Sequence, residues 1–440
     1  MMHRLKCLAL LLVAAHCAAA DPPTREAVIA EMKPYAGTSA AGVDRSTLTG
    51  KVMAGYQGWF TAEGDGAELG WRHYSNRGQF RPGRCNIDLW PDVSELGADE
   101  KIATQFRHAD GQPAFVFSSH NRKTVLRHFQ WMKDYGLDGV FVQRFVVETQ
   151  AALSLRHCNT ALAHCREGAN LHGRCYAAMY DLSGLREGGI DRAIDDWKLL
   201  VDRMQLGRDE NDKAYLRHNG QPVVAVWGLG FNDGRAYTLA ECDRLVEFLK
   251  NDPTYGGNTV MVGIPTNWRT LDRDTIADPA LHATLLKADI LSPWTVGRFA
   301  TPQAAARHAR ERMQPDIAWC REHGKEYLPV VFPGFSWHNM RGRRRQAPFD
   351  QIPRLKGEFL WRQISEAKTA GATMLYTAMF DELDEGTAIF KTSQSPPTGE
   401  SRFIADVELP SDHYLWLTGQ GGRLLRGEIP SSEKIPLRSP

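Results

Sequence analysis

Four acidic residues follow a largely apolar segment near the end of the chain, and their spacing suits acid–base chemistry. Residues 375–380 are mostly apolar, and the next five positions hold Asp381, Glu382, Asp384 and Glu385. Glu382 and Glu385 are three positions apart, so one helical turn would place both carboxyl groups on the same side. Glycosidic bonds are commonly broken by two carboxyl groups, one protonated and one ionised. A solvated acidic turn after a strand is the alternative that the cluster alone leaves open.

The elements that must position this cluster alternate regularly along the chain. Short, β-rich segments predict strands at 49–60, 139–145, 175–180, 222–227, 259–264, 290–294, 328–332 and 373–379. Amphipathic segments between them predict helices at 124–135, 190–204, 239–249, 302–323 and 358–370, with a last helix at 412–425 capped by Ser411. This alternation indicates βαβ units and a parallel sheet. The predicted fold is α/β, a (β/α)8 TIM barrel.

Segments outside the alternation define the domain limits. Residues 61–111 form a long insertion after the first strand, and its aromatic content favours an ordered, functional segment over a disordered one. Residues 114–119 predict an extra strand outside the barrel. We expect a lead-in at 21–48 with a short helix at 24–32, the barrel domain at 49–428 and a tail at 429–440.

The first twenty residues have the pattern of a secretory signal peptide. A basic start precedes a short apolar run that ends in three alanines at 18–20. The run is too short to span a bilayer. We therefore expect a secreted or periplasmic protein without a membrane partner. Loss of the leader removes Arg4 and Lys6 and changes the formal net charge from +1 to −1, which argues against a nucleic-acid partner.

The cysteines that remain after the leader are even in number, which permits disulfides in an exported chain. Cys158 and Cys165 are seven positions apart in a helix-like stretch, a separation of about 10 Å that is too long for a bridge. One of them paired with Cys175 is the more favourable local bridge. The spacings match no zinc pattern, and we expect neither a metal nor another cofactor.

Aromatic and polar residues recur where the predicted strands end and in the insertion. In such barrels the active site lies at the C-terminal ends of the strands. The candidate substrate-binding residues are Tyr56, Gln57, Trp59, Trp71, His73, Trp90, Gln143, Arg144, Tyr180, Asp181, Trp227, Trp268, Trp294, Trp337 and His338. Aromatic rings offer flat apolar faces, and several also carry a polar group. The pattern predicts a carbohydrate-binding cleft.

Several of these candidates have a structural alternative that the sequence leaves open. Trp227 and Trp294 would also suit the cap of the barrel core. Arg144 and Asp181 would suit an ion pair across adjacent strands. His338 would suit a solvated loop.

Three short motifs resemble those of a known family. Residues 380–387, Phe-Asp-Glu-Leu-Asp-Glu-Gly-Thr, resemble the Glu-x-x-Glu-Gly-Thr motif that closes the barrel of glycoside hydrolase family 99, the endo-α-mannosidases, and its family 71 relatives. Residues 55–60, Gly-Tyr-Gln-Gly-Trp-Phe, are similar to the Gly-Tyr-Tyr-x-Trp segment of the first strand. Residues 135–140 match the Tyr-Gly-Ile-Asp-Gly entry to the second strand. The chain also resembles bacterial exported 99-like proteins, some labelled xylosidase or arabinosidase.

The resemblance implies roles for the two glutamates. Glu382 would act as a base on the sugar 2-hydroxyl, giving a 1,2-anhydro intermediate with net retention, and Glu385 would be the general acid/base. The family commonly has Trp-His between the glutamates, where this chain has Leu383-Asp384, and Asp381 replaces an Asn. These departures leave the anhydro mechanism and the sugar specificity open.

The first hypothesis is a secreted retaining glycoside hydrolase that acts on a polysaccharide or glycan. A barrel that binds carbohydrate without cleaving it is the alternative. A metal-dependent hydrolase using Asp381, Asp384, Glu385 and His338 is a third reading, which no familiar ligand spacing supports.

Overall fold

The computed structural model describes residues 22–75, 78–345 and 347–438, so the predicted signal peptide at 1–20 lies outside the described residues. The strands are β1 (Val52–Tyr56), β2 (Ile102–Arg107), β3 (Pro113–Val116), β4 (Gly139–Phe145), β5 (Cys175–Asp181), β6 (Arg217–His218), β7 (Gln221–Trp227), β8 (Thr259–Ile264), β9 (Ile290–Pro293), β10 (Glu326–Tyr327), β11 (Val330–Val331) and β12 (Leu375–Thr377). The α-helices are α1 (Arg25–Ala30), α2 (Arg122–Tyr135), α3 (Ala152–His172), α4 (Ile190–Met204), α5 (Leu239–Asn251), α6 (Ala280–Leu285), α7 (Pro302–His308), α8 (Gln314–Glu322), α9 (His338–Arg345), α10 (Glu358–Thr369) and α11 (His413–Leu425).

The central sheet closes on itself. Its strands follow the order β10-β9-β8-β7-β5-β4-β1-β12-β11, with parallel pairing between the neighbours. Only Leu328 and Pro329 separate β10 from β11, so one short stretch of chain pairs with β9 on one side and with β12 on the other. Leu328 N donates to Leu291 O at 2.9 Å, and Tyr376 N donates to Pro329 O at 3.0 Å. The predicted (β/α)8 barrel is confirmed.

The barrel strands are buried on both faces, which explains their nearly continuous apolar sequences. Every residue of β1, β5 and β8 is buried. Gly55 in β1 packs closely against two side chains of the interior, because a Cβ atom there would lie 2.1 Å from Met379 Cε and 2.6 Å from Tyr376 Oη. Most predicted barrel strands are present, and the first and last are shorter than predicted. The predicted strand at 328–332 differs: the structure has two strands of two residues each, β10 and β11, on either side of Leu328 and Pro329.

The predicted helices are present, with differences at their ends. The expected helix at 302–323 is divided into α7, a π-helical turn at Ala309–Met313 and α8. The expectation that Ser411 caps the last helix is wrong, because α11 begins at His413 after Asp412. The Asp412 carboxylate does not cap the helix either; it accepts two hydrogen bonds from Arg438, at 2.6 and 2.8 Å.

The insertion after β1 is a packed layer. The predicted extra strand is confirmed as β3, which pairs with β2 in an antiparallel hairpin outside the barrel. Phe80 lies among Trp71, Tyr74, Trp90 and Phe106, with ring centroids 4.8–5.7 Å apart. These buried rings form an apolar centre within the insertion. Aromatic pairs at such distances contribute stabilising free energy beyond that from the burial of their surface area.

Among the described residues the cysteines are free, so the expected local bridge to Cys175 is wrong. Cys175 Sγ instead donates to Asp44 O at 3.0 Å. Burial raises the pKa of the Cys175 thiol to about 12. In the part of the chain that the structure describes, no helix combines the length and apolarity that crossing a bilayer requires.

Candidate active site

The acidic cluster forms a turn at the C-terminal end of the barrel, directly after β12. The bond from Gly386 N to Leu383 O, 3.4 Å long, closes a tight turn in place of the helical turn expected from the spacing. Gly386 has φ +67°, a left-handed conformation that favours glycine. Ser336 N donates to Glu385 O at 2.9 Å and Asp88 N donates to Leu383 O at 2.9 Å. Backbone from the seventh barrel connection and from the insertion therefore fixes the turn on both sides.

Both carboxylate oxygens of Glu382 accept a hydrogen bond. Gln57 Nε2 donates to Oε1 at 2.6 Å, and Thr387 Oγ1 donates to Oε2 at 2.5 Å. The residue is only 3% exposed. Burial, followed by the charges of Glu385 and Asp384, raises the pKa of Glu382 well above its usual value, while the two donors oppose that rise. The donors favour the ionised form, because each one stabilises negative charge.

Glu385 is partly accessible, unlike Glu382. Burial and then the nearby Asp384 raise the pKa of Glu385 to about 7. The indole of Trp337 and the guanidinium of Arg341 oppose this shift. Trp337 Nε1 makes no full hydrogen bond among the described residues, so its influence is that of a nearby N–H dipole. A carboxyl group with a pKa near 7 can hold a proton at neutral pH and release it, as a general acid must.

Asp381 and Asp384 connect the turn that holds the two glutamates to other parts of the chain. Asp381 is fully buried and accepts hydrogen bonds from Gln57 N at 2.7 Å and Gly58 N at 2.9 Å. Burial raises the pKa of Asp381 to about 7. Asp384 Oδ2 lies 3.0 Å from His73 Nδ1, and Asp384 Oδ1 has no hydrogen-bond partner among the described residues. The two aspartates tie the turn to β1 and to the insertion.

A cavity of about 430 Å³ opens above the two glutamates. Its walls come from the ends of the barrel strands and the loops that follow them. The lining residues are Gln57, Trp59, Gln143, Phe145, Met179, Asp181, Ser183, Trp227, Phe231, Asp233, Trp294, Val296, Gly297, Arg298, Phe335, Trp337, Gln351, Met379, Glu382 and Glu385. The volume and the mixture of rings and polar groups are those of a small-molecule site.

Nine of the residues singled out from the sequence meet in this cavity. They are Gln57, Trp59, Gln143, Asp181, Trp227, Trp294, Trp337, Glu382 and Glu385. Trp227 and Trp294 contact each other edge to face with centroids 5.5 Å apart, so both rings form part of the cavity wall. Burial raises the pKa of Asp181, on the β5 wall, to about 6.

Three predicted residues are chain neighbours of residues that line the cavity, but their side chains point away from it. Tyr56 Oη lies 2.9 Å from His128 Nδ1 of α2. Arg144 donates to the Asp196 carboxylate at 2.6 and 2.7 Å, and Tyr180 Oη donates to Asp196 Oδ2 at 2.7 Å. Arg144 therefore pairs with a helix behind the barrel, which corrects both its placement in the cleft and the alternative of a pair with Asp181.

Four further predicted residues are also placed away from the cavity. Trp71 and Trp90 belong to the apolar centre of the insertion. Trp268 is fully buried against Trp319, with centroids 4.9 Å apart. His338 begins α9, and its Nδ1 lies 3.0 Å from Ala347 O. These positions correct the expectation that the four residues line the cleft; three of them serve packing.

His73 reaches the site by stacking. Its ring lies on Trp59 with centroids 3.7 Å apart and an angle of 4° between the planes. The pair forms part of the wall of a second, smaller cavity beside the first. The insertion thus delivers a side chain that contacts both Trp59 and Asp384.

Several lining residues were not predicted from the sequence. Met179 lies two positions before Asp181 on β5, while Asp233, Arg298 and Gln351 come from connections between strands and helices. No motif marks the loop residues. The alternation of side chains along β5 would have selected Met179 together with Asp181.

The ligand set of the metal-dependent reading is not brought together, because His338 bonds to the backbone of its own loop. In the described ranges, no three His, Cys, Asp or Glu side chains are arranged to hold one metal ion.

Comparison with known proteins gives a structural match without a sequence match. No protein-family model matches the chain, and no curated protein matches its sequence. The GH99 endo-α-mannosidase from Bacteroides thetaiotaomicron, solved in complex with BIS-TRIS-Propane, superposes with a TM-score of 0.60 at 15% identity, covering 87% of this chain and 99% of that chain. The chain shares its fold with a family 99 endo-α-mannosidase.

Two further structures agree with this likeness. A second structure of the Bacteroides thetaiotaomicron enzyme has a TM-score of 0.58 at 17% identity, with the same coverage of 87% and 99%. A glycoside hydrolase-like protein has a TM-score of 0.52 at 13% identity, covering 89% of this chain and 98% of that chain. The family 99 resemblance drawn from three short motifs is thus confirmed at the level of the fold.

Proposed function

We propose that the protein is a secreted retaining glycoside hydrolase that uses Glu382 and Glu385 to cleave a glycosidic bond in a polysaccharide or glycan. The observation that carries the proposal is the presence of both glutamates in one aromatic-walled cavity at the mouth of the barrel. The active sites of such barrels lie at this end. The fold shared with a family 99 endo-α-mannosidase adds support.

Glu382 is arranged to accept a proton. Its two oxygens face the N–H of Gln57 and the O–H of Thr387, so its hydrogen bonds are those of a carboxylate. An ionised Glu382 would remove the proton of a sugar hydroxyl, the 2-hydroxyl in the family mechanism. The attack of that oxygen on the anomeric carbon would give a 1,2-anhydro sugar with displacement of the leaving group.

Glu385 is arranged to give a proton. Its pKa of about 7 keeps a substantial fraction protonated at neutral pH. A protonated Glu385 would donate to the leaving oxygen in the first step. In the second step the resulting carboxylate would take a proton from the water that attacks the anomeric carbon, while the protonated Glu382 would return its proton to the sugar 2-oxygen. Two inversions give net retention.

The cavity walls suit a sugar ring. Trp59, Trp227, Trp294 and Trp337 offer ring faces and edges, while Gln143 and Asp181 offer hydrogen-bonding groups at the ends of β4 and β5. Apolar faces and oriented polar groups are what the two sides of a sugar require. The signal-peptide pattern at 1–20 supports an extracellular or periplasmic substrate.

The test is a screen of the purified protein on polysaccharides, glycans and aryl glycosides, with Glu385→Gln and the control Glu322→Gln, which changes an exposed residue of α8. We expect wild-type and control turnover to agree and Glu385→Gln to lose at least about 100-fold, the share that general acid catalysis supplies. Product anomers read by NMR would show retention. Turnover that survives Glu385→Gln unchanged contradicts the proposal. Sugar binding without any product would favour the non-catalytic carbohydrate-binding barrel.

A further inference from the structure

Asp384 lies between the two glutamates in sequence, and its hydrogen bonding differs from that of Glu382. The Asp384 side chain is only 2% exposed. Its Oδ2 lies 3.0 Å from His73 Nδ1, and its Oδ1 has no hydrogen-bond partner among the described residues. Because a carboxylate oxygen only accepts, the imidazole is the donor. One N–H therefore stabilises the charge of Asp384, whereas Glu382 accepts bonds at both of its oxygens.

The charge of Asp384 acts on the other acids of its turn. It raises the pKa of Glu385, second only to burial, and it adds to the rise in the pKa of Glu382. The groups that it influences are Asp381, Glu382 and Glu385 on the turn, and Tyr74 and Cys85 in the insertion. The other charged groups around the turn and His73 are Asp88 beside Leu383, Arg341 of α9, Asp181 of β5 and the Arg72–Glu148 ion pair.

Trp59 holds the imidazole of His73 in place. The two rings are nearly coplanar in orientation, at 4°, and their centroids are 3.7 Å apart. His73 has φ +61°, a left-handed conformation that is uncommon for a residue other than glycine. Such conformations persist where the surroundings fix them, and they are frequent at functional sites. The imidazole is therefore fixed on one face by Trp59 and at Nδ1 by Asp384.

We propose that His73 is a positioning residue for the Glu382–Glu385 pair and acts through Asp384, a proposal that rests on the proposed function. The imidazole N–H keeps Asp384 ionised, and the negative charge of Asp384 keeps Glu385 protonated for its role as general acid. Without that N–H, the buried Asp384 carboxylate has no donor left among the described residues.

Loss of the His73 donor changes the charge of the turn in a definite direction. Burial disfavours the charged form of a carboxyl group, so Asp384 takes up a proton when the N–H is removed. A neutral Asp384 no longer repels negative charge on Glu382 and Glu385. The pKa values of both glutamates therefore fall. Asp384→Asn makes this position neutral directly and should have the same effect.

The first test needs no turnover. Carboxyl ¹³C NMR measures the pKa of Glu385 in wild type, in His73→Phe, which keeps a flat ring on Trp59 but has no N–H, and in Asp384→Asn. The signal is assigned with Glu385→Gln. We expect both variants to lower the pKa of Glu385 by about one pH unit or more, as loss of one nearby negative charge predicts. His73→Phe should add nothing in the Asp384→Asn background, because the two residues act as one unit. An unchanged or raised pKa in His73→Phe overturns the proposal, and so does an equal further shift in the double variant.

Matched variants separate the N–H from the fold. His323 stacks on Trp319 with centroids 3.9 Å apart at an exposed position after α8, so His323→Phe makes the same exchange away from the site and should leave the pKa of Glu385 unchanged. His73→Gly adopts the left-handed conformation without strain and repeats the test if His73→Phe does not fold. His73→Gln restores an N–H donor without the ring and should raise the pKa of Glu385 back towards the wild-type value. A value that stays low in His73→Gln overturns the role of the N–H.

The second test is the profile of kcat/KM against pH on a glycan that the wild type cleaves. A base is active above its pKa and an acid below its pKa, so lower pKa values of Glu382 and Glu385 move both limbs to lower pH. We expect this shift in His73→Phe and Asp384→Asn, and none in His323→Phe. A lower maximum with both limbs in place would show a merely structural role and overturns the proposal. The expected NMR shifts without hydrolysis of any glycan contradict the hydrolase function instead.

Discussion

Gln57 Nε2 donates to Glu382 Oε1 at 2.6 Å, so the first barrel strand holds the carboxylate that follows the last one. The two residues are 325 positions apart in the chain. They meet because β1 and β12 are paired neighbours in the closed sheet. The backbone of the same loop binds Asp381 through Gln57 N and Gly58 N. Barrel closure is therefore a condition for assembly of the candidate catalytic pair.

Removal of the Gln57 amide should shift the pH dependence of the reaction. A donor bonded to Glu382 stabilises its ionised form, so Gln57→Ala raises the pKa of Glu382. A base with a higher pKa is ionised only at higher pH. We expect the acid limb of the profile of kcat/KM against pH to move to higher pH, with a lower maximum. An acid limb that stays in place would show that Glu382 is not the base.

The Thr387 hydroxyl should matter more for catalysis than an equally buried hydroxyl elsewhere. Thr387→Val removes the donor to Glu382 Oε2. Thr418→Val, in α11, removes a buried hydroxyl that bonds only to the backbone oxygen of Tyr414. Both should cost about 1–2 kcal/mol of unfolding free energy. Only Thr387→Val should lower kcat, by about tenfold or more. Equal kcat values for the two variants would contradict the assigned role.

Glu385 should make stability depend on pH in a definite direction. Its pKa in the folded protein, about 7, lies above the usual 4.5, so the folded state binds the proton more tightly than the unfolded state. The stabilisation is complete below about pH 4.5 and is lost as the pH rises through about 7. Glu385→Gln removes this loss. The variant should therefore gain stability relative to wild type between about pH 5 and pH 8, by about 2 kcal/mol.

Thermal or urea unfolding of both proteins at the two pH values measures this difference. Glu322→Gln serves as the control at an exposed position. A stability difference between Glu385→Gln and wild type that does not change with pH would place the carboxyl in an unperturbed environment.

Arg144 should act on folding and not on substrate. Arg144 forms a buried ion pair with Asp196, and the two side chains are 3% and 1% exposed. Arg144 Nη2 also donates to Asn159 Oδ1 at 2.8 Å. Asp196→Ala leaves a buried guanidinium without its counter-ion and should cost about 3–5 kcal/mol. The midpoint of urea unfolding should fall accordingly, while KM per folded molecule is unchanged. A rise in KM without loss of stability would return Arg144 to the substrate site.

The barrel could be predicted from the sequence because each strand is a short apolar segment and each connection between strands contains a helix. The strand at Gly139–Phe145 and the helix at Ile190–Met204 agree with the prediction at both ends. The predicted cap at Ser411 was wrong: Asp412 precedes the last helix, and its carboxylate bonds to Arg438 in the tail. Contacts of that kind depend on the tertiary fold.

The sequence predicted where the strands reach the candidate site, but not which of two adjacent residues at each strand end lines the cavity. Gln143 lines the cavity while Arg144 faces α4, and Asp181 lines it while Tyr180 faces the same helix. Alternate side chains of a strand point to opposite faces. Because both faces of these strands are buried and largely apolar, the sequence does not show which member of each pair points inward.

The insertion residue Asp88 donates its backbone N–H to Leu383 O, between the two glutamates, while its carboxylate accepts from His338 N and Asn339 N at the start of α9. A segment that is not part of the barrel thereby sets the position of the turn. Substitutions in this segment can therefore change the distance between the carboxyl groups of Glu382 and Glu385, although neither glutamate is replaced. Relatives with the same motif but a different insertion would then differ in selectivity, and exchanging that segment between them would be a route to new specificities.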